Sequence, residues 1–275
     1  MMNSQHFLYH TVPGRICLKF LTRPIVSKLA GCFLDTHLSK CLISPFVRKT
    51  GIRLQDYETK GIRSFNDFFI RRVRDGLRPV DFSPDHLIAP CDGLLRVYPI
   101  RNDLVMNIKE APYTVSSLLR SHSLAAKYEG GLCLVFRLCV DHYHRYCYAD
   151  SGSKSRNIHI KGLLHTVRPA ALEALPVFTE NSREFTLIRS RHFGTILQME
   201  VGAMLVGKIC NHHGKGTVRR GEEKGYFKYG GSTVILLIQK DLAAIDPVYL
   251  AASAEGRETP VKLGQKIGTA RIRES

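Results

Sequence analysis

Three residues far apart in the chain are of types that do chemistry together: Asp92 in "APCDG", His144 in "VDHYHRYCYADSG" and Ser232 in "FKYGGSTVILL". A hydroxyl is a poor nucleophile near neutral pH and needs a base to take its proton; an imidazole can be that base, and a carboxylate can orient the imidazole. Each residue also has a plainer reading. Asp92 precedes a glycine, which is ordinary turn chemistry. His142 and His144 fall on one face if the preceding strand continues, and either can be a satisfied structural histidine. Ser232 follows two glycines and has no GxSxG elbow around it. Separation along the chain carries no geometry, so a serine hydrolase and an unrelated trio both stay open at this point. A metal site is not expected: the eight cysteines are scattered without a CxxC pair, and no further Cys/His pair supports the two histidines at ligand spacing.

The elements that must carry these residues can be read from pattern. Val234 to Leu237 is a short apolar run after a Gly-Gly turn and reads as a buried strand. "GLCLVFRLCV" reads as a central strand leading into the histidine cluster, and "GTILQMEVGAMLVGKIC" as two strands broken at Gly202. "LIAPCDGLLRVYP" has Asp-Gly turn chemistry between two apolar runs, as in a hairpin. Ser64 and Asp67 in "SFNDFFIRRVRDGLRPV" have the spacing of a helix-capping box, and Phe65, Phe68 and Phe69 form an aromatic stripe that reads as core. Arg71, Arg72, Arg74 and Arg78 are able to meet phosphates but read by default as a solvated face. Upstream, residues 1–60 read as helical. Ile25, Val26, Leu29, Cys32 and Phe33 share one helix face behind Pro24, with basic residues around it, and this suits either a core-packing helix or one lying on anionic lipid. The fold expected is α+β: a helical, basic region over 1–80 and a β-rich catalytic core over 81–275.

Composition narrows the partners. The 275 residues carry a net charge of +16, and the first eighty hold fourteen basic against five acidic residues. Such a field draws polyanions, either nucleic acid or an anionic bilayer. The chain lacks the usual nucleic-acid-binding motifs, so no nucleic-acid partner is expected. No stretch reaches the ~18 apolar residues of a membrane span, and no secretory cleavage pattern is present. With the cysteine usage, this suggests a reducing, cytosolic setting with mostly buried thiols.

The ordered set "FNDFFIRR", "APCDG", "DHYHRYCYADSG", "GLLHTV", "PVFTENSREFTLI", "VGAMLVGKI", "RGEEKGYFKYGGSTVILL" and "VKLGQKIG", spread over residues 64 to 268, resembles the phosphatidylserine decarboxylase proenzymes. The resemblance implies that the backbone is cut between Gly231 and Ser232, giving a β chain 1–231 and an α chain 232–275 that stay together. Ser232 becomes a covalent pyruvoyl cofactor, which forms a Schiff base with phosphatidylserine and yields phosphatidylethanolamine and CO2. Asp92, His144 and Ser232 are then the catalytic residues, with His144 the base, His142 its fallback and Asp92 the orienting charge. Many relatives read Asp-Tyr-His-Arg-x-His; here His142 stands at the Asp position and Cys147 at the second His, so that histidine's role does not pass to Cys147. His165 is read as structural or pocket-lining. The setting implied is peripheral, on the cytoplasmic side of the cell membrane, with anionic lipid as partner; a homo-oligomer is compatible with it.

Overall fold

The computed structural model describes residues 29, 31–108, 111–164, 179–202, 208–229 and 232–271. Helices α1 (Ile43–Thr50), α2 (Phe65–Phe69), α3 (Val115–Leu119), α4 (His122–Ala126) and α5 (Pro247–Ala254) accompany a strand-rich body. The strands of the first half are β1 (His86–Ile88), β2 (Gly93–Pro99), β3 (Met106–Ile108), β4 (Ala111–Tyr113), β5 (Leu132–Leu138), β6 (Arg145–Cys147), β7 (Gly152–Lys154), β8 (Ile158–Ile160) and β9 (Leu163–Leu164). Those of the second half are β10 (Thr179–Glu180), β11 (Arg183–Ser190), β12 (Thr195–Val201), β13 (Ile209–Asn211), β14 (Gly216–Val218), β15 (Glu223–Phe227), β16 (Ser232–Ile238), β17 (Ala243–Ile245), β18 (Thr259–Val261) and β19 (Lys266–Ala270). The chain is thus α+β with a β-rich core.

A nine-stranded sheet runs β14-β7-β11-β12-β16-β5-β2-β18, with β8 also paired to β11. Strand β16 lies inside it, antiparallel to β12 on one side and to β5 on the other. Side chains alternate across a sheet. Val234, Leu236 and Ile238 enter one apolar cluster with Phe136 and Leu95, while Ile235 and Leu237 enter a second with Val135 and Met199. A strand covered on both faces has no polar side, which is why it reads as an unbroken apolar run. The expected central strand and the strand before Gly202 are β5 and β12.

Helix α2 begins as its sequence signals. Ser64 accepts the Asp67 N–H, and the Asp67 carboxylate accepts the Ser64 N–H, closing a capping box. Phe65, Phe68 and Phe69 are core. Further upstream, Leu29 and residues 31–34 are helical. Leu29 and Phe33 of the expected apolar face are 65% and 46% exposed, and Leu34 is the buried residue there instead. Ile25 and Val26 lie outside the described residues.

Four local expectations are corrected. The Asp92–Gly93 step closes no hairpin: β1 pairs with β19, whereas β2 pairs with β5 and β18. The two histidines are not on a strand, because β5 stops at Leu138 and the chain turns before β6. Arg71 is buried, with its guanidinium 4.2 Å from the Tyr57 ring centre and donating to the Asp141 carbonyl at 3.2 Å. Burial pushes its pKa down from the usual arginine value. Arg78 meets a carboxylate, described below. The thiols are also less uniformly buried than expected: Cys91, Cys133 and Cys147 are buried, but Cys32 and Cys41 are exposed.

Candidate active site

Antiparallel pairing brings distant residues to one end of the sheet. Ser232, the first residue of β16, pairs with Leu138, the last of β5. Leu94, second in β2, pairs with Arg137 of β5, so Asp92 stands just before the same end. From Leu138 the chain makes one tight turn, with His142 N–H on the Cys139 carbonyl at 3.1 Å, and reaches His144. The starts of β2 and β16 and the His144 segment therefore gather at the C-terminal end of β5.

His144 is buried, and its Nδ1 lies 2.9 Å from the His142 carbonyl oxygen. A carbonyl only accepts, so Nδ1 carries the proton and, in the neutral ring, Nε2 carries the basic lone pair. The Phe69 ring packs on the imidazole with centroids 4.0 Å apart, and the His144 carbonyl accepts the Phe227 N–H at 3.0 Å. Ring and backbone are thus both held, from α2 and from β15. His142 is oriented otherwise: its Nδ1 accepts the Cys139 N–H at 3.1 Å.

Asp92, expected to orient His144, makes three hydrogen bonds at the start of β2. Its carboxylate receives Arg78 Nε at 2.8 Å and Nη2 at 2.5 Å, and the Leu263 N–H at 2.9 Å. The bond to Asp92 pushes the Arg78 pKa up. Ser232 and Thr233 are buried. Gly231 and His165 lie outside the described residues. Cys147 is buried in β6, where burial pushes its thiol up to about 12, so it stays neutral at physiological pH. Cys139, Asp141 and His142 each place a ligand-type atom within 4.8 Å of the others. Within this cluster the His142 Nδ1 lone pair takes the Cys139 amide.

Sequence reasoning missed Arg78, Asn66 and Tyr229. Asn66 is buried in α2 and accepts the Tyr229 N–H on Oδ1 at 3.2 Å. The one signal for it was an amide standing among three phenylalanines in "FNDFF", with no partner visible in the sequence nearby.

Comparison with known proteins gives the family. The profile of the phosphatidylserine decarboxylase family matches residues 65–269. The chain is 44% identical over 263 residues to phosphatidylserine decarboxylase proenzyme 2 of Clostridium acetobutylicum, covering 95% of this chain and 90% of that one. It is 39% identical over 267 residues to the phosphatidylserine decarboxylase proenzyme of Ruminiclostridium cellulolyticum, covering 95% and 89%. These matches define the class as decarboxylase. The chain belongs to the phosphatidylserine decarboxylase family.

Proposed function

We propose that the chain is a pyruvoyl-dependent phosphatidylserine decarboxylase that generates its own catalytic group by cutting between Gly231 and Ser232. The observation that carries this reading is the gathering of Ser232 and the His144 segment at one end of β5. The substrate follows from the names of the relatives, and the products are phosphatidylethanolamine and CO2.

Cleavage uses this chain's own residues. Ser232 Oγ attacks the carbonyl carbon of Gly231, with His144 Nε2 as the base that takes the hydroxyl proton. The C–N bond breaks, leaving an ester and a free amine on residue 232. Loss of the α-proton of residue 232 expels the Gly231 carboxylate and leaves dehydroalanine. One water then replaces nitrogen on that residue, releasing ammonia and leaving a pyruvoyl group at the start of the 232–275 chain. The two products are a β chain 1–231 and an α chain 232–275. Asp92 serves as a fixed carboxylate at the mouth of β2, joined to the upstream segment through Arg78 and to the downstream chain through the Leu263 amide.

The pyruvoyl group fits the position. Ser232 is 1% exposed at the start of a strand buried on both faces. Plain hydrolysis there would leave a buried ammonium, which is costly without a partner, whereas a pyruvoyl end is neutral. When formed, the group supplies a conjugated carbonyl that accepts the electron pair left by CO2.

Residues 1–80 are proposed as the membrane-associating region and 81–275 as the catalytic core. In the first region Leu29, Phe33 and Leu38 are exposed, Leu38 by 76%, on a segment rich in lysine and arginine. No helix among the described residues is long and apolar enough to cross a membrane. The exposed apolar residues and the basic charge support peripheral attachment, which we place at the cytoplasmic face of the cell membrane, and a homo-oligomer is compatible with it. A denaturing mass spectrum of the purified protein tests the core of the proposal. Two chains with an amine-free start at residue 232 are expected; a single chain of full mass sinks it.

A further inference from the structure

We infer that helix α2 is the platform that positions the chain for cleavage, and that Asn66 is the residue that holds the backbone just upstream of the bond to be cut. The inference rests on the self-cleavage reading above.

The segment to be cut is Tyr229-Gly230-Gly231-Ser232. Two successive glycines have the widest backbone freedom of any pair and no side chains by which to be held. A carbonyl there can be presented to a nucleophile only if the chain is fixed on both flanks. The downstream flank is fixed by the pairing of Ser232 with Leu138. The upstream flank is fixed by α2. Asn66 Oδ1 accepts the Tyr229 N–H at 3.2 Å, and Asn66 Nδ2 donates to Asp35 at 3.0 Å, so both ends of a buried amide are in use. The Tyr229 ring sits edge-on among Phe65, Phe69 and Phe46, with centroids 5.2, 5.1 and 6.5 Å away. Lys228 adds an ion pair to Asp35 at 3.0 Å.

The same helix also holds the base. Phe69 contacts both Tyr229 and the His144 ring, the latter with centroids 4.0 Å apart. Arg145, next to His144, donates to the Ile70 carbonyl at the end of α2 at 2.8 Å. One five-residue helix thus sets the base against the third residue before the scissile bond. Once the bond is cut, Tyr229 lies on the upstream chain and the new group on the downstream one. Asn66 is therefore a positioning residue for cleavage, not a group that touches the substrate.

The test is a pulse-chase of the newly translated full chain, followed on a denaturing gel, with turnover per pyruvoyl measured on the fraction that has matured. Misplacing a reacting atom by about 1 Å costs on the order of 100-fold in rate. Asn66→Ala and Tyr229→Ala are expected to slow cleavage by about 10- to 100-fold, and Tyr229→Phe to restore most of the rate. Turnover per pyruvoyl in Asn66→Ala falls far less than cleavage. Ile267→Val, a core change in β19, controls for general loss of stability and cuts at the wild-type rate. The inference is overturned if Asn66→Ala cuts as fast as wild type, if cleavage and turnover fall together, or if the Ile267→Val control is slowed as much. A wild-type chain that never cuts sinks the self-cleavage reading and this inference with it; a wild type that cuts beside a normal Asn66→Ala sinks this inference alone.

Discussion

In the proposed chemistry, Ser232→Ala removes both the nucleophile and the precursor of the pyruvoyl group. The expected outcome is a full-length chain on a denaturing gel and no CO2 release from phosphatidylserine. His144→Ala is expected to stay uncut as well, because the Nδ1–H on the His142 carbonyl leaves Nε2 as the base. His142→Ala cuts at a substantial rate, since the His142 backbone carbonyl survives the change; a block in that variant with normal cutting in His144→Ala would transfer the role. Cys147→Ser leaves cleavage largely unchanged, because a buried thiol pushed up to about 12 carries no proton to and fro near neutrality. Lys154 gives a pH signature unconnected with catalysis. It is buried, donates to the His213 and Gly214 carbonyls at 3.0 and 2.8 Å, and is pushed down to about 8, chiefly by burial. Between about pH 8 and the ordinary lysine value the unfolded chain binds more protons than the folded one, so stability rises with pH through that window. The melting temperature of wild type should therefore gain on that of Lys154→Met as pH goes from 7 to 9.5. A constant difference would show that Lys154 does not titrate there.

At the scale of elements, the capping box of α2 links stability to processing. Ser64→Ala removes the acceptor for the Asp67 N–H. Loss of such a cap typically costs about 1 kcal/mol. Chemical denaturation of the uncut Ser232→Ala chain should show that loss. In the otherwise wild-type chain the same change should slow cleavage, since α2 holds Tyr229 and His144. A stability loss with an unaltered cutting rate would separate the helix from the site. The elements most legible in the sequence were those whose signals are local or periodic. The box at Ser64 and Asp67 spans one turn. The β16 run is apolar because both faces of the strand are covered. The Asp92–Gly93 step misled for the complementary reason: turn propensity says that the chain bends, not which strands pair afterwards.

At the scale of the molecule, the position of β16 predicts that cleavage does not separate the products. The downstream chain supplies β16, hydrogen-bonded to β12 and β5 of the upstream chain on both sides, and β18, paired with β2. The two chains should co-elute under native conditions and part only in denaturant; separation in plain buffer would contradict the sheet order. The basic upstream region sets a second expectation, read by liposome flotation across a salt series. Each basic residue near an anionic surface contributes on the order of 1 kcal/mol, screened within about 10 Å at 0.1 M salt. Exposed Leu29, Phe33 and Leu38 add apolar burial that salt does not weaken. Binding should fall with salt without vanishing, and fall further in Phe33→Ser. Normal decarboxylation of bilayer substrate without any flotation at low salt would remove this region as the anchor.

The sequence by itself determined the α+β character, the buried run after Ser232, the cap of α2 and, through the ordered motifs, the family and its candidate serine and histidine. Each of these is written either within a few neighbouring residues or in a period that a strand or helix must repeat. Only the tertiary structure decided which groups meet. Asp92 binds Arg78 and the Leu263 amide; Arg71 is buried against Tyr57; and Asn66 reaches Tyr229, 163 residues further along the chain. A carboxylate hydrogen-bonds equally well with a guanidinium, an imidazole or a backbone amide, so nothing in its own sequence context favours one of them. The choice is made by which donor the sheet order and the turn after β5 bring within about 3 Å.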